Sequence, residues 1–222
     1  MSRIVLKNIK KSFKKTDILN DINLTVKSGE MVAIKGKSGI GKSTLLNIIA
    51  GLEKPNAGSY TLEDIEMTGK NLNQLASIRG TKIGYISQFS PMIPKLTAFQ
   101  NIYLPLSLNK KSKELEASIE KEITEICELF DINLLLDKDI KKLSGGEIQR
   151  VGIVRSVINN PKVIIADEPT GSLDDDTALT VLEFFKQMAS KGKTIIIATH
   201  SQVVAEQCDT IYHLTKSGLQ QE

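Results

Sequence analysis

Apolar and polar positions along the chain change period several times. Ile4 and Leu6, then Ile22, Leu24 and Val26, alternate with polar neighbours, which predicts half-exposed strands of an antiparallel sheet. Residues 31–34 form a short continuous apolar run suited to a buried strand, and Leu45, Leu46, Ile48 and Ile49 then recur at helical spacing. Pro55, Asn56, Ala57 and Gly58 read as a turn, residues 59–62 as a strand and 71–79 as a short helix. Residues 83–86 predict a second buried strand, ending at Ser87 and Gln88.

Residues 90–96 hold two prolines among apolar residues and read as an ordered loop, followed by a helix over about 97–106. Leu115, Ile119, Ile123, Ile126 and Phe130 are spaced by four, four, three and four, the mark of an amphipathic helix. A further helix begins near Leu143, with Val151, Val154 and Ile158 on its apolar side. Residues 163–166 are four apolar positions running into Asp167 and Glu168, which fits a buried parallel strand with carboxylates at its C-terminal end. Asp174, Asp175 and Asp176 favour a helix start, and that helix would bury Ala178, Val181, Leu182, Phe185 and Met188. Residues 194–198 are another buried strand, followed by Thr199, His200 and Ser201, and a strand at 210–214 precedes a polar tail.

This succession predicts one α/β domain over 1–222. Its core is 1–89 and 144–222, with an antiparallel β part at the N-terminus and a helical insertion over about 90–143. A chain of 222 residues suits one large domain, or a core with a smaller insertion, and is too short for two such units in tandem.

Composition adds mostly exclusions. Charged residues at 25% and hydrophobic ones at 41% are ordinary for a globular protein, and a net charge of +3 implies no particular partner. Lysines cluster at Lys7, Lys10, Lys11, Lys14 and Lys15 and again at Lys110, Lys111 and Lys113; both clusters read as solvated faces, and no nucleic acid is expected. Cys127 and Cys208 lack metal-ligand spacing and read as reduced, inert core thiols of a cytosolic protein. No apolar stretch approaches the ~20 residues needed to span a bilayer, nor does the N-terminus carry a signal-peptide core. Work done at a membrane would therefore need another chain to cross it.

The chemistry centres on Gly36-Lys37-Ser38-Gly39-Ile40-Gly41-Lys42-Ser43-Thr44, a complete G-x-x-x-x-G-K-[ST] phosphate loop between a predicted strand and a predicted helix. Glycines there let successive N–H groups face one anion, and the helix N-terminus adds its partial positive charge. Lys42 is placed to reach the β- and γ-phosphates and Ser43 to offer its hydroxyl to Mg²⁺. The bland reading is a glycine-rich turn with a chance lysine, against which the strand-helix context argues. Hydrolysis further needs charge neutralisation, an oriented water and a proton acceptor. Asp167 suits the Mg²⁺ and Glu168 the base, although an adjacent acidic pair also occurs in structural ion pairs. Gln88 and His200 come after buried strands too, so in a parallel sheet both face the same edge. Phe13, in a lysine-rich turn, offers a surface for a base, but an aromatic taken alone more often belongs to a core.

Together these residues resemble the nucleotide-binding subunits of ATP-binding-cassette (ABC) transporters, from Phe13 through the phosphate loop, Gln88, Leu143-Ser144-Gly145-Gly146-Glu147, Asp167-Glu168, Ser172-Leu173-Asp174 and His200. The LSGGE element is the most specific part. The resemblance implies a P-loop NTPase core with a parallel central sheet and an ATPase using ATP and Mg²⁺. It also implies that Phe13 stacks on adenine and that Gln88 touches Mg²⁺ and the attacking water. His200 would hold the γ-phosphate and water, while Ser144, Gly145 and Gly146 contact the γ-phosphate held by a second subunit and Asp174 communicates across that dimer. It further implies a separate transmembrane permease as partner and a cytoplasmic location on the inner face of the membrane.

Residues 167–174, with Gln88-Phe89, Leu96-Thr97 and Asn101, resemble the lipoprotein-releasing, macrolide-exporting and antimicrobial-peptide-resistance subgroup. Ile148 and residues 154–157 depart from the usual pattern, at positions that touch no phosphate. An ABC ATPase of a soluble assembly scaffold, as in iron-sulphur cluster formation, is the alternative. A GTPase is disfavoured by the lack of an N-K-x-D motif. Met92, Ile93, Leu96 and Phe99 could form an apolar groove for a permease helix, or simply pack on the helical insertion.

Overall fold

The computed structural model describes residues 2–89, 91–108 and 116–222, with side chains at all of these except Ser2 and 116–119. The first alternating segments form β1 (Ser2–Phe13) and β2 (Thr16–Lys27), which pair with β4 (Ala57–Leu62) and β5 (Ile65–Glu66) in an antiparallel sheet of order β2-β1-β4-β5. The period of two puts Ile22, Leu24 and Val26 on one buried face of β2 while their neighbours face out, and a register shift between Ile22 and Leu19 lets Leu19 be buried as well.

The second sheet has the order β10-β9-β3-β8-β7-β6, from β3 (Met31–Lys35), β6 (Ile83–Ile86), β7 (Val163–Asp167), β8 (Thr194–Ala198), β9 (Thr210–Thr215) and β10 (Gly218–Gln221). Strands β9, β3, β8, β7 and β6 run parallel, and only β10 is antiparallel. Every residue of β7 and β8 is buried, because both faces of the sheet are covered.

Alternate residues of these strands feed two separate cores. Val32, Ile34, Val163, Ile165 and Ile196 pack with helix α1 (Lys42–Ile49) and the antiparallel sheet. Met31, Ile164, Ala166, Ile195 and Ile197 pack on the other side with α3 (Ala98–Leu108), α4 (Glu116–Leu129), α5 (Gly145–Val157) and α6 (Asp175–Ser190). Phe130, just past α4, meets Phe184 of α6 edge to face at 5.2 Å, tying the 91–143 segment to that second core. Helices α2 (Leu72–Lys82) and α7 (Gln202–Glu206) complete the fold.

Several sequence expectations are refined. The tail holds β10, whose Leu219 pairs with Leu214 of β9; an exposed edge strand needs only backbone partners, so its side chains carry little signal. Ala57 and Gly58 already belong to β4, so the turn ends at Asn56, and α2 runs three residues past Arg79. Leu143 and Ser144 precede α5 rather than open it. Strand β5 and helix α7 are too short to show a period. Lys11 is buried, not part of a solvated face: its Nζ donates to Glu53 Oε1 at 2.5 Å and to the Lys54 carbonyl at 2.8 Å. Cys127 is buried but Cys208 only half-buried; burial is the main reason both thiols are pushed up to about 12. Ser90, Lys110, Lys111, Lys113, Leu115 and the Ile119 side chain lie outside the described residues.

Strand β6 and helix α5 approach so closely that a Cβ on Gly84 would lie 2.2 Å from the Ser156 carbonyl oxygen. Neither backbone can yield without losing its own hydrogen bonds. Gly84→Ala is expected to destabilise the protein by about 1–3 kcal/mol, seen as a lower urea midpoint at unchanged m-value.

Candidate functional site at the strand ends

The parallel register delivers four chain segments to one edge. Strand β3 leads into the phosphate loop, β6 into Gln88, β7 into Asp167 and Glu168, and β8 into Thr199 and His200. They meet in a cleft of about 660 Å³ lined by Phe13, Ile18, Ser38, Gly39, Gly41, Lys42, Ser43, Thr44, Gln88, Asp167, Glu168 and His200. That volume is within the ~300–1,000 Å³ usual for small-molecule sites.

Gly41 is the N-cap of α1 at φ 114, a conformation that disfavours any side chain; a Cβ there would also sit 2.9 Å from Ile18 Cγ2. No side chain caps this helix, so the N–H groups of its first turn stay available to an anion. Lys42 folds back over the loop, its Nζ donating to the carbonyls of Gly36 at 2.7 Å and Lys37 at 3.3 Å. Gly36 and Lys37 thus act through their backbone, and Ile40 packs against the core beneath.

Asp167 is buried and lines the cleft beside Ser43 and Lys42. Its carboxyl is raised above the usual range chiefly by loss of water, with the Glu168 charge adding to the rise and Ser43 and Lys42 opposing it. Glu168 sits in the left-handed region at φ 48, a strained backbone for a non-glycine residue. Its carboxylate is nonetheless held firmly. Oε1 accepts from the His200 backbone N–H at 2.9 Å and from His200 Nδ1 at 2.8 Å, and Oε2 accepts from Thr199 Oγ1 at 3.1 Å. Donation from Nδ1 leaves His200 Nε2 for another partner.

Phe13 is 46% exposed rather than part of a core, with Lys11 Nζ 4.8 Å from its ring centre. The buried lysine props one aromatic at the mouth of the cleft.

Ser144, Gly145, Gly146 and Asp174 do not line this cleft. Ser144 caps α5 through a reciprocal box: Glu147 N–H donates to Ser144 Oγ at 3.3 Å, and the Ser144 N–H to Glu147 Oε2 at 2.6 Å. These bonds hold the Glu147 carboxyl below its ordinary range. Asp174 caps α6, accepting from the Thr177 N–H at 2.9 Å and Oγ1 at 2.7 Å, and these bonds likewise lower its pKa. The two caps are close in the fold, since a Cβ on Gly146 would lie 3.2 Å from the Ser172 carbonyl oxygen. Sequence reasoning passed over Ile18, Thr199 and Gln149. Thr199 sits beside His200 and shares its strand end; Ile18 carries no local sign. Gln149 stands five residues after Ser144 and points to the Glu168 segment.

The loop after β6 is half anchored. Asn101, fully buried, accepts from the Ile93 N–H at 2.8 Å and donates to the carbonyls of Ile93 and Thr97, and Arg155 donates to the Pro91 carbonyl. Met92 and Phe99 pack on the helical core, whereas Phe89 and Ile93 are exposed by 86% and 41%.

A family model described as ABC transporter matches residues 19–171. The chain is 43% identical over 210 residues to the uncharacterized ABC transporter ATP-binding protein YvrO of Bacillus subtilis, covering 93% of this chain and 90% of that one. It is 37% identical to the lipoprotein-releasing system ATP-binding protein LolD of Francisella tularensis, over 99% of this chain and 97% of LolD. The dimeric post-hydrolysis structure of the ATP-binding cassette MJ0796 of Methanocaldococcus jannaschii, bound to ADP and Pi, is similar with a TM-score of 0.92 at 36% identity, covering 99% of this chain and 97% of that one. This chain belongs to the ABC transporter family, as an ATP-binding subunit with ATPase activity.

Proposed function

We propose that this chain is the ATP-hydrolysing subunit of an exporter or peptide-resistance/lipoprotein-release type system, in which two copies close around two ATP molecules and drive a permease carried on a separate chain. The observation that carries this reading is the convergence of the phosphate loop, Gln88, Asp167, Glu168 and His200, from four strand ends, in one cleft.

Phosphates are held by the loop N–H groups, and Lys42 exchanges the Gly36 and Lys37 carbonyls for phosphate oxygens. Phe13, propped from behind by Lys11, stacks on adenine. Ser43, Asp167 and Gln88 supply only oxygen donors, few in number and beside the phosphate loop, which fits Mg²⁺ completed by phosphate and water. Bound there, the ion would neutralise charge on the β- and γ-phosphates. Glu168 takes the proton of the attacking water, its carboxylate aimed by Thr199 and His200, and His200 Nε2 holds the γ-phosphate.

Ser144, Gly145 and Gly146 lie off their own cleft at a helix N-terminus, where free N–H groups and the Ser144 hydroxyl proton suit the γ-phosphate of a second copy. Asp174, capping α6 beside them, serves the same face. The permease is met by the helical insertion and the loop that leads into it, through the exposed Phe89 and Ile93, with Ile93 fastened by Asn101. Among the described residues no helix is long and apolar enough to cross a membrane. The subunit would sit at the inner face of the cell membrane, beside that permease.

Glu168→Gln is expected to lower kcat by about 10²–10⁴-fold while ATP still binds and the dimer persists with ATP on gel filtration; unchanged turnover would remove Glu168 as the base. The raised pKa of Asp167 gives a second test. The folded protein holds that proton to a higher pH than the unfolded chain does, so the group's contribution to stability is full at low pH and lost as pH rises through its folded value. Asp167→Asn, neutral throughout, should melt higher than wild type at pH 7 without nucleotide. The gap should close on acidification, and Mg²⁺-dependent hydrolysis should be lost. Ile93→Glu should leave basal hydrolysis and melting unchanged and abolish stimulation by the co-purified permease; loss of folding would show that Ile93 belongs to the core instead.

A further inference from the structure

Gln149 lies on the buried side of α5, is 3% exposed, and has every donor of its side-chain amide in use. Nε2 donates to the Glu168 carbonyl at 3.1 Å and to the Pro169 carbonyl at 2.6 Å, and Oε1 accepts from the Ser172 N–H at 3.2 Å. One side chain thus grips both ends of the 168–172 turn. That turn begins at Glu168, with its left-handed backbone, and runs to Asp174, the cap of α6. The same helix opens at Ser144, five residues earlier, and its first turn rests on the Ser172 carbonyl through the missing Cβ of Gly146.

Backbone strain of this kind persists only where the surroundings hold it. The Glu168 N–H is fixed by the Ala198 carbonyl and its carboxylate by Thr199 and His200, all from the end of β8 and the two residues that follow it. The Glu168 carbonyl accepts from the Gly171 N–H at 3.2 Å within the turn and from Gln149 Nε2 at 3.1 Å, and the second of these holds comes from a different element, α5. A small shift or tilt of α5 therefore moves the Glu168 carbonyl, and with it the direction of the side chain, relative to the phosphate loop.

We propose that Gln149 is a positioning residue that couples the N-terminus of α5 to Glu168 of the same chain, so that docking of α5 on the partner's nucleotide sets this chain's own base. The inference rests on the reading of Glu168 as base and of Ser144 as the contact to the second subunit's ATP. It gives each cleft a route, through one helix and one amide, by which occupation of the opposite cleft is felt at the point of water attack. Nothing in this route touches ATP bound in the same chain, so binding and turnover separate.

The test is steady-state ATP hydrolysis by the full chain, with Gln149→Met, which keeps length and volume but neither donor, and Gln149→Glu, which keeps the acceptor for Ser172 and turns a carboxylate on the two carbonyls. Both variants are expected to lower kcat by on the order of 10²-fold, to leave KM for ATP within about threefold, and to bring the Hill coefficient to 1. Folding is monitored by melting and by ATP-dependent dimerisation, and either folded variant suffices. If Glu168→Gln is inactive while a folded Gln149 variant keeps wild-type kcat and Hill coefficient, the brace is overturned and the functional reading stands. If Glu168→Gln keeps wild-type turnover, the functional reading has failed and the brace falls with it. A rise in KM matching the fall in activity, at unchanged kcat, would also overturn the proposal, because it would place Gln149 in substrate binding.

Discussion

The ladder of backbone hydrogen bonds joining β3, β8, β7 and β6 is the constraint on which the rest depends. Parallel pairing of Ile34 with Ala198, of Asp167 with Ala198 and of Ile86 with Ala166 brings four strands to their ends at nearly one level. The next residues along each strand are then carried to a common edge. A one-residue slip of β7 would exchange its two faces, sending Asp167 under the sheet and Glu168 to its place. The complete burial of β7 and β8 makes such a slip costly, since each face is matched to a different core.

Around this edge several groups sit in states they would not choose in isolation. Asp167 is deprived of water, Glu168 has a left-handed backbone, and Lys42 is satisfied by carbonyls of its own loop. A net charge of +3 spread over the chain does little to attract a triphosphate, so attraction comes from oriented N–H groups at the start of α1 and one lysine. Local tension is borne by long-range bonds: His200 and Thr199 to Glu168 across 32 and 31 positions, and Gln149 to the same turn across 19 and 20.

The frame of this arrangement was legible in the sequence because its signals are local. A buried parallel strand leaves an unbroken apolar run, and a phosphate loop has a fixed spacing. Asp167, Glu168, Gln88 and His200 could be placed because each stands at the polar end of such a run. Phe13 taken alone read more as core than as surface, and the family resemblance was what set it on adenine; its 46% exposure goes with Lys11, whose ammonium turns to Glu53, far away in sequence. Gln149 escaped for a related reason: a polar residue on a helix reads as solvent-facing until the turn it grips is seen in space. Asn101 marked a resemblance but not a reason, and the reason is that it fastens the loop carrying Met92 and Ile93. Edge strand β10 was hidden because backbone pairing leaves no mark on side-chain pattern.

The absence of a side chain at Gly84 bears on motion as well as on packing. It seats the last turn of α5 directly on β6 at Ser156, roughly 18 Å along the helix axis from Ser144 at the other end. Sliding of α5 along its axis would have to carry Ser156 past the strand. Swinging about that contact would not, so any tilt of the helix would pivot at the sheet and displace most the tip bearing Ser144.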